Sequence, residues 1–156
     1  MFKNPMSIVL IGVAIAAALP GIGSAYGVHA AGKAAAGVVS DKPELFGKLL
    51  VLQALPGTQG IYGFLVAVLI LVRSGILGGG AAALTAETAF AYFGSGLAIA
   101  LGGLFSGIYQ GRVAAASILM TAKQPDASAR GITMTALVET YAILALLVSI
   151  LALFSI

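Results

Sequence analysis

The sequence predicts an all-α integral membrane fold in which four transmembrane helices form two duplicated helical hairpins. Three observations predict it. Hydrophobic residues make up 60% of the chain against 8% charged, with a mean hydropathy of +1.10, whereas soluble domains carry about 25% charged residues. Four stretches lack any Asp, Glu, Lys or Arg for long enough to cross a hydrocarbon core: 4–32, 49–72, 88–111, and 131–156 interrupted only by Glu139. Placing Pro125 on Pro43 lays the second half of the chain on the first.

A span needs roughly 20 helical residues, and backbone groups in lipid must be satisfied within the segment or by a closed barrel. The apolar runs lack the two-residue alternation of a barrel, so the spans are predicted as helices. Lys3 followed by an apolar run and small residues also resembles a signal peptide. The apolar pattern continues past Ser24 and Ala25 to Gly32, which favours a first membrane helix. Helix over 5–39 would be roughly 50 Å long at 1.5 Å per residue, longer than the ~30 Å core, so it is expected to project into the cytoplasm.

The eight Lys and Arg residues, at 3, 33, 42, 48, 73, 112, 123 and 130, are scattered and form no basic patch, which excludes nucleic acid as a partner. Six of them flank the connections at Pro43 and Pro125, and only Lys3 and Arg73 lie on the other side. The positive-inside rule therefore predicts cytoplasmic turns at Pro43 and Pro125, with both termini and the loop 74–87 outside. The run Gly78, Gly79, Gly80 is followed by no Gly-Lys-Ser/Thr and reads as a flexible connection. No cysteine is present, so there is neither a disulfide framework nor a thiolate metal site.

With Pro43 and Pro125 superposed, A-L-P-G-T-Q-G-I at 54–61 meets A-L-V-E-T-Y-A-I at 136–143. The expected organisation is one membrane domain with hairpins at 1–80 and 81–156. Gly57 stands opposite Glu139, so only the second hairpin carries the acid. Small residues recur at Gly23, Gly27, Ala31 and Ala35 in the first helix and at Gly103, Gly107, Gly111 and Ala115 in the third. Such stripes let backbones approach closely in lipid. They are read either as packing within one chain or as the crowded inner wall of a closed oligomer, with the second favoured.

Glu139 is the informative residue. An ionised carboxylate at the bilayer centre costs at least ~2.5 kcal/mol and marks a functional site by default. None of the cations falls at its depth, so a proton or a mobile cation is expected to neutralise it. Thr58 lies fifteen residues after Pro43, Glu139 fourteen after Pro125, and Gln110 fifteen before Pro125. Each is then roughly 21–23 Å along its helix from the turns. Leu55, Thr58, Gln59 and Tyr62 share one helix face. Pro56 deletes a backbone donor and Gly57 a side chain, which loosens the helix and can turn a carbonyl outward. Two amide oxygens, a hydroxyl, a carbonyl and a carboxylate suit a hard cation. The two glutamines have interhelical hydrogen bonding as their other reading. Tyr62 is placed to donate its hydroxyl to Glu139. His29 reads as a packed or pore-facing residue outside the site, and Tyr26 and Tyr109 give no clear signal.

The strings L-P-G-T-Q-G at 55–60 with Tyr62, L-F-S-G-I-Y-Q-G at 104–111 and V-E-T-Y-A-I at 138–143 resemble the duplicated proteolipid subunit of V-type rotary ATPases. The likeness covers nearly the whole chain, the loop 74–87 least. It implies a rotor ring of identical subunits in the cell membrane, turning against a static membrane subunit of the a or I type and touching a central-stalk subunit on the cytoplasmic face. ATP hydrolysis would occur on other subunits, so the chain itself is not expected to be an enzyme. The version with these glutamines resembles sodium-translocating bacterial members. Their Na+ ligands map onto the Leu55 carbonyl, Thr58, Gln59, Gln110 and Glu139, with Tyr62 as the supporting hydroxyl. A proton-carrying ring is the alternative within the class, and a tetraspan scaffold or pore-forming protein the alternative outside it. Near neutral pH sodium at roughly 10 mM outnumbers protons by about five decades, equivalent to about 7 kcal/mol, so a modest sodium site suffices.

Overall fold

The computed structural model describes residues 4–79 and 84–156, so Lys3, Gly80 and the expected boundary at 80/81 lie outside the described residues. Four helical spans are long and apolar enough to cross a membrane, with mean hydropathies of 2.2, 1.8, 1.5 and 2.3 in chain order. The first is α1, Pro5–Asp41. Its start is set by the Asn4 side chain, which accepts from the Met6 N–H at 3.0 Å, and by Pro5 in the first turn, where no N–H is needed. The second span, Pro43–Arg73, consists of α2, Phe46–Ala54, and α3, Thr58–Arg73, joined by a 3₁₀ turn at Leu55–Gly57. The third is α4, Ala86–Lys123, opened by a reciprocal capping box between Thr85 and Thr88. The fourth is α5, Ser128–Phe154. At 37 and 38 residues α1 and α4 are each about 55 Å long.

The sequence repeat reappears in the geometry of the turns. Lys42 and Gln124, equivalent positions of the repeat, end α1 and α4 with nearly the same backbone angles, φ/ψ −135/69 and −137/87. Their N–H groups bond the carbonyls of Val38 and Met120 at 2.8 and 2.9 Å. A proline-led 3₁₀ turn follows each. Both turns lie at one end of the molecule, where Lys42 Nζ donates to the Ala122 carbonyl and Lys48 Nζ to that of Pro125.

Helices α1 and α4 run side by side as the spine. Their glycine stripes meet within the one chain, so the packing reading is the one seen here. A Cβ on Gly107 would lie 2.6 Å from the backbone of Gly23, and one on Gly111 would collide with the Gly27 Cα. Ala31 and Ala35 continue the buried face of α1, whereas on α4 the residue buried after Gly111 is Ala114 and not Ala115. Helix α3 packs on α1, with Gly63 against Ala16 and Pro20, and α5 packs on α4, with Gly102 against Ala145 and Gly131 against Ser117. Helix α3 also touches α4 and α5, which joins the two hairpins.

The apolar interior falls into two clusters. One gathers Ile8, Val9, Val66, Ile70, Ile99 and Leu153 toward the loop end. The other gathers Ala31, Leu49, Leu52, Ala114 and Ile118 toward the turn end. Between them lies a polar layer that includes Ser24, Gln59, Ser106 and Gln110, all buried. Outward faces remain apolar: Ile61, Phe64 and Val72 on α3 and Leu144, Leu147 and Leu151 on α5 are exposed. A patch of that extent requires an apolar medium, and the bilayer supplies it.

Candidate ion-binding site

The polar layer is assembled from all four helical spans. Pro56 has no N–H to give, and the chain passes it in a 3₁₀ turn while keeping right-handed helical angles at Leu55 (−51/−46) and Thr58 (−67/−34). The Leu55 carbonyl therefore stays within the helix and is drawn to its neighbour, accepting from both the N–H and the Oγ1 of Thr58, the latter at 3.1 Å. Gly60, four residues beyond the proline, donates its N–H to Ser24 Oγ on α1 at 2.8 Å. That bond ties the loosened segment to the spine.

From Thr58 the hydrogen bonds run outward in a connected string. Thr58 Oγ1 lies 3.5 Å from Gln59 Oε1, and Gln59 Nε2 donates to Gln110 Oε1 on α4 at 2.5 Å. Gln110 Nε2 reaches Glu139 Oε2 on α5 at 3.5 Å, and Tyr62 Oη donates to Glu139 Oε1 at 2.5 Å. The string starts at Leu55 and returns to the same helical span at Tyr62. All the residues singled out by sequence, Leu55, Thr58, Gln59, Tyr62, Gln110 and Glu139, lie on it.

Several members were not anticipated. Ser106 accepts from Gln59 Nε2 at 3.2 Å and donates to the Val138 carbonyl at 3.0 Å, one residue before the acid. The Thr135 carbonyl takes the other proton of Gln110 Nε2 at 3.1 Å. Ser106 had a readable signal, since it stands four residues before Gln110 and so on the same face of α4. The Thr135 carbonyl had none, because a backbone acceptor leaves no mark in the sequence. Among the described residues, no buried side-chain polar atom is left without a partner.

The arrangement concentrates oxygen atoms between two apolar clusters. Gln59 and Gln110 are fully buried, and Glu139 is half-buried at the edge of the chain. An amide or carboxylate oxygen has two lone pairs, so Gln110 Oε1 retains one while accepting from Gln59, and Glu139 has several more. Such a set offers only hard donors, the chemistry that suits a proton or a small alkali or alkaline-earth cation. His29, Tyr26 and Tyr109 stand apart on exposed faces of α1 and α4, with the Arg112 guanidinium 5.4 Å above the Tyr109 ring.

A duplicated membrane hairpin with one carboxylate at its polar waist defines the class of the protein. The family of the ATP synthase C subunit matches residues 11–70 and again 93–152, once on each half of the repeat, and the chain belongs to that family. It is 45% identical over 146 residues to the V-type sodium ATPase subunit K of Enterococcus hirae, covering 94% of this chain and 90% of that one. It is 41% identical over 151 residues to the A-type ATP synthase subunit K of Methanocaldococcus jannaschii, covering 97% of this chain but only 65% of that longer relative. The 16 kDa proteolipid of the V-type proton ATPase of Nephrops norvegicus is 33% identical over 116 residues, 74% of this chain and 70% of that one. The chain is thus an ion-carrying proteolipid of a V-type rotor ring, a membrane component and not the ATP-hydrolysing part.

Proposed function

We propose that this protein carries Na+ at Glu139 as the ring turns. The observation that carries the reading is the continuous string of oxygen donors from Leu55 to Glu139, more than a proton alone requires. The sodium in the name of the 45% identical relative points the same way. The proposed ligands are the Leu55 carbonyl, Thr58 Oγ1, Gln59 Oε1, Gln110 Oε1 and a Glu139 carboxylate oxygen. Tyr62 holds the other carboxylate oxygen, which keeps the acid turned toward the amides instead of outward.

Half-burial of Glu139 at the edge between α3 and α5 supports a carrier over a storage site. A carboxylate sealed in the core would release its ion too slowly, and one in open lipid would be too costly to ionise. At this edge the bound cation neutralises the acid while it faces lipid, and a static membrane subunit opposite α5 would give it water during exchange. The wider proposal keeps the hairpins at 1–80 and 81–156, the Pro43 and Pro125 turns toward the cytoplasm and a central-stalk subunit, with both termini and the loop 74–87 outside. Proton carriage is the competing reading, favoured by the direct Tyr62–Glu139 bond and by the proton-ATPase relative.

Equilibrium binding of radioactive sodium to the purified ring separates the two. A sodium carrier binds close to one Na+ per chain near neutral pH and loses it as protons replace it in acid. Absence of saturable binding at any pH between neutral and alkaline would assign the ring to protons.

A further inference from the structure

Of the four spans the last is the one whose roll about its own axis matters most and whose packing fixes it least. It carries Glu139, yet only 17% of the residues in its apolar stretch are buried within the chain, against 33%, 33% and 39% in the others. Leu137, Leu144, Leu147 and Leu151 are all exposed on it. Lipid tails are as apolar as leucine, so turning one of these outward and another inward changes the energy little. Directional bonds are left to set the angle at which α5 stands.

Two such bonds lie well away from the ion site, one on each side of it. Toward the turns, Ser117 Oγ donates to the Gly131 carbonyl at 3.3 Å, and Thr135 Oγ1 donates to the same carbonyl at 2.8 Å and stands 3.4 Å from Ser117 Oγ. Toward the loop, the Ile99 N–H donates to Ser149 Oγ at 3.0 Å, so a main-chain donor of α4 reaches across to α5. Gly131 and Ser149 are eight and ten residues from Glu139, roughly 12 and 15 Å along the helix. Both serines are buried, and the internal repeat supplies the comparison. In the hairpin without the acid, Ala35 and Ala67 stand at the positions of Ser117 and Ser149 and are buried as well. A seat of this size is thus filled by alanine where no side chain has to be aimed and by serine where one does.

We propose, on the reading of Glu139 as the Na+ carrier, that Ser117 and Ser149 are positioning residues for the cation. They clamp the roll of α5 against α4 from both sides of the site and thereby hold Glu139 within reach of Gln110. Carboxylate oxygens stand roughly 6 Å from the helix axis, so a roll of about 10° carries them about 1 Å. Glu139 Oε2 is 3.5 Å from Gln110 Nε2, at the limit of a hydrogen bond, and an excursion of that size parts the acid from the amide. With the roll clamped, the carboxylate is oriented before the ion arrives, and binding does not have to order it.

Ser117→Ala and Ser149→Ala each remove one oxygen and leave a residue that the repeat already accommodates in the equivalent seat, so each tests the clamp by itself. In purified rings of wild-type mass, the Na+ concentration that half-protects Glu139 from a carbodiimide should rise about threefold in each, the factor that one average interhelical hydrogen bond in a membrane amounts to, and about tenfold in the double variant. Maximal labelling without Na+ should be unchanged. Thr121→Val is the control: its buried hydroxyl bonds the Ser117 carbonyl of its own helix, and its loss should leave the Na+ value unaltered. Thermal midpoints of the same rings separate aim from strength. A lower midpoint with unaltered half-protection in both serine variants reduces the hydroxyls to packing and overturns the proposal, as does an equal shift in Thr121→Val. Wild-type labelling that ignores Na+ removes the Na+ reading and this role with it, whereas wild-type protection retained in full by the double variant overturns this role alone.

Discussion

Tyr62 donates its hydroxyl to Glu139 at 2.5 Å across the gap between α3 and α5, joining the two hairpins at the one acidic side chain of the polar layer. A bond to a charged acceptor is worth roughly 1.5–3 kcal/mol, against about 1 for a neutral one. Tyr62→Phe removes the donor and leaves the ring in place. The concentration of Na+ that half-protects Glu139 from a carbodiimide should rise by about tenfold or more, 1.4 kcal/mol being one decade. An unchanged value would show that the hydroxyl plays no part in positioning the acid.

Carbodiimides attack protonated carboxyl groups, so Na+ and protons should compete visibly for Glu139. Labelling is expected to fall as Na+ is raised at constant pH and to return as pH is lowered at constant Na+, with K+ protecting less because it is larger. Glu139→Gln should abolish both labelling and ATP-driven transport. Labelling indifferent to Na+ near neutral pH would transfer the site to protons, and transport by Glu139→Gln would remove the carboxylate mechanism.

The amides are separable from the acid. Gln110→Ala deletes an oxygen ligand and also the partner of Gln59, so Na+ protection should weaken while Glu139 remains reactive to carbodiimide. Ser106→Ala should have a smaller effect of the same sign, because Ser106 is no ligand and acts through Gln59 and the Val138 carbonyl. If Ser106→Ala proved the more damaging of the two, Gln110 would be a structural bridge and not a ligand.

The glycine contact of α1 with α4 makes a prediction about stability. A methyl on Gly111 meets the Gly27 backbone, which no rotamer change relieves, and overpacking of this kind costs about 1–3 kcal/mol or more. Gly111→Ala should lower the thermal midpoint of the purified ring, and Gly107→Leu should prevent a stable one from forming. Gly37→Ala, where a Cβ meets nothing within 4 Å, should be neutral or stabilising by about 0.5–1 kcal/mol through the helix propensity of alanine. Equal melting of Gly111→Ala and Gly37→Ala would mean that the helices are not in contact there.

Orientation in the membrane is tested with single cysteines at Ser40, Ser128 and Gly79 and an impermeant reagent applied to intact cells. With cytoplasmic turns, position 79 is labelled and positions 40 and 128 are not. The reverse pattern would invert the topology.

Most of the site was legible because its signals are chemical rarities. An acid in an apolar run, two amides and a hydroxyl at matching distances from two prolines are easily seen against Leu, Ala and Gly. The partner of the glycine stripe was less legible. Gly23 and Gly27 announce that something approaches closely, but the pattern alone does not say whether that neighbour belongs to the same chain. Contacts with Gly103, Gly107 and Gly111 depend on the rotation of α4 about its axis, which is set by all its neighbours at once. The bond from Gly60 N–H to the Ser24 hydroxyl beside the Pro56 turn was likewise hidden, since its acceptor arrives from another helix.

The contact of Gly27 with Gly111 also bears on how force passes through such a device. Where side chains interdigitate, an interface yields elastically as rotamers lean and recover. Two backbones in direct contact have almost nothing to bend. A push applied at α3 or α5 would thus reach α1 and α4 with little wind-up, so that displacements on the two sides of the spine stay in step.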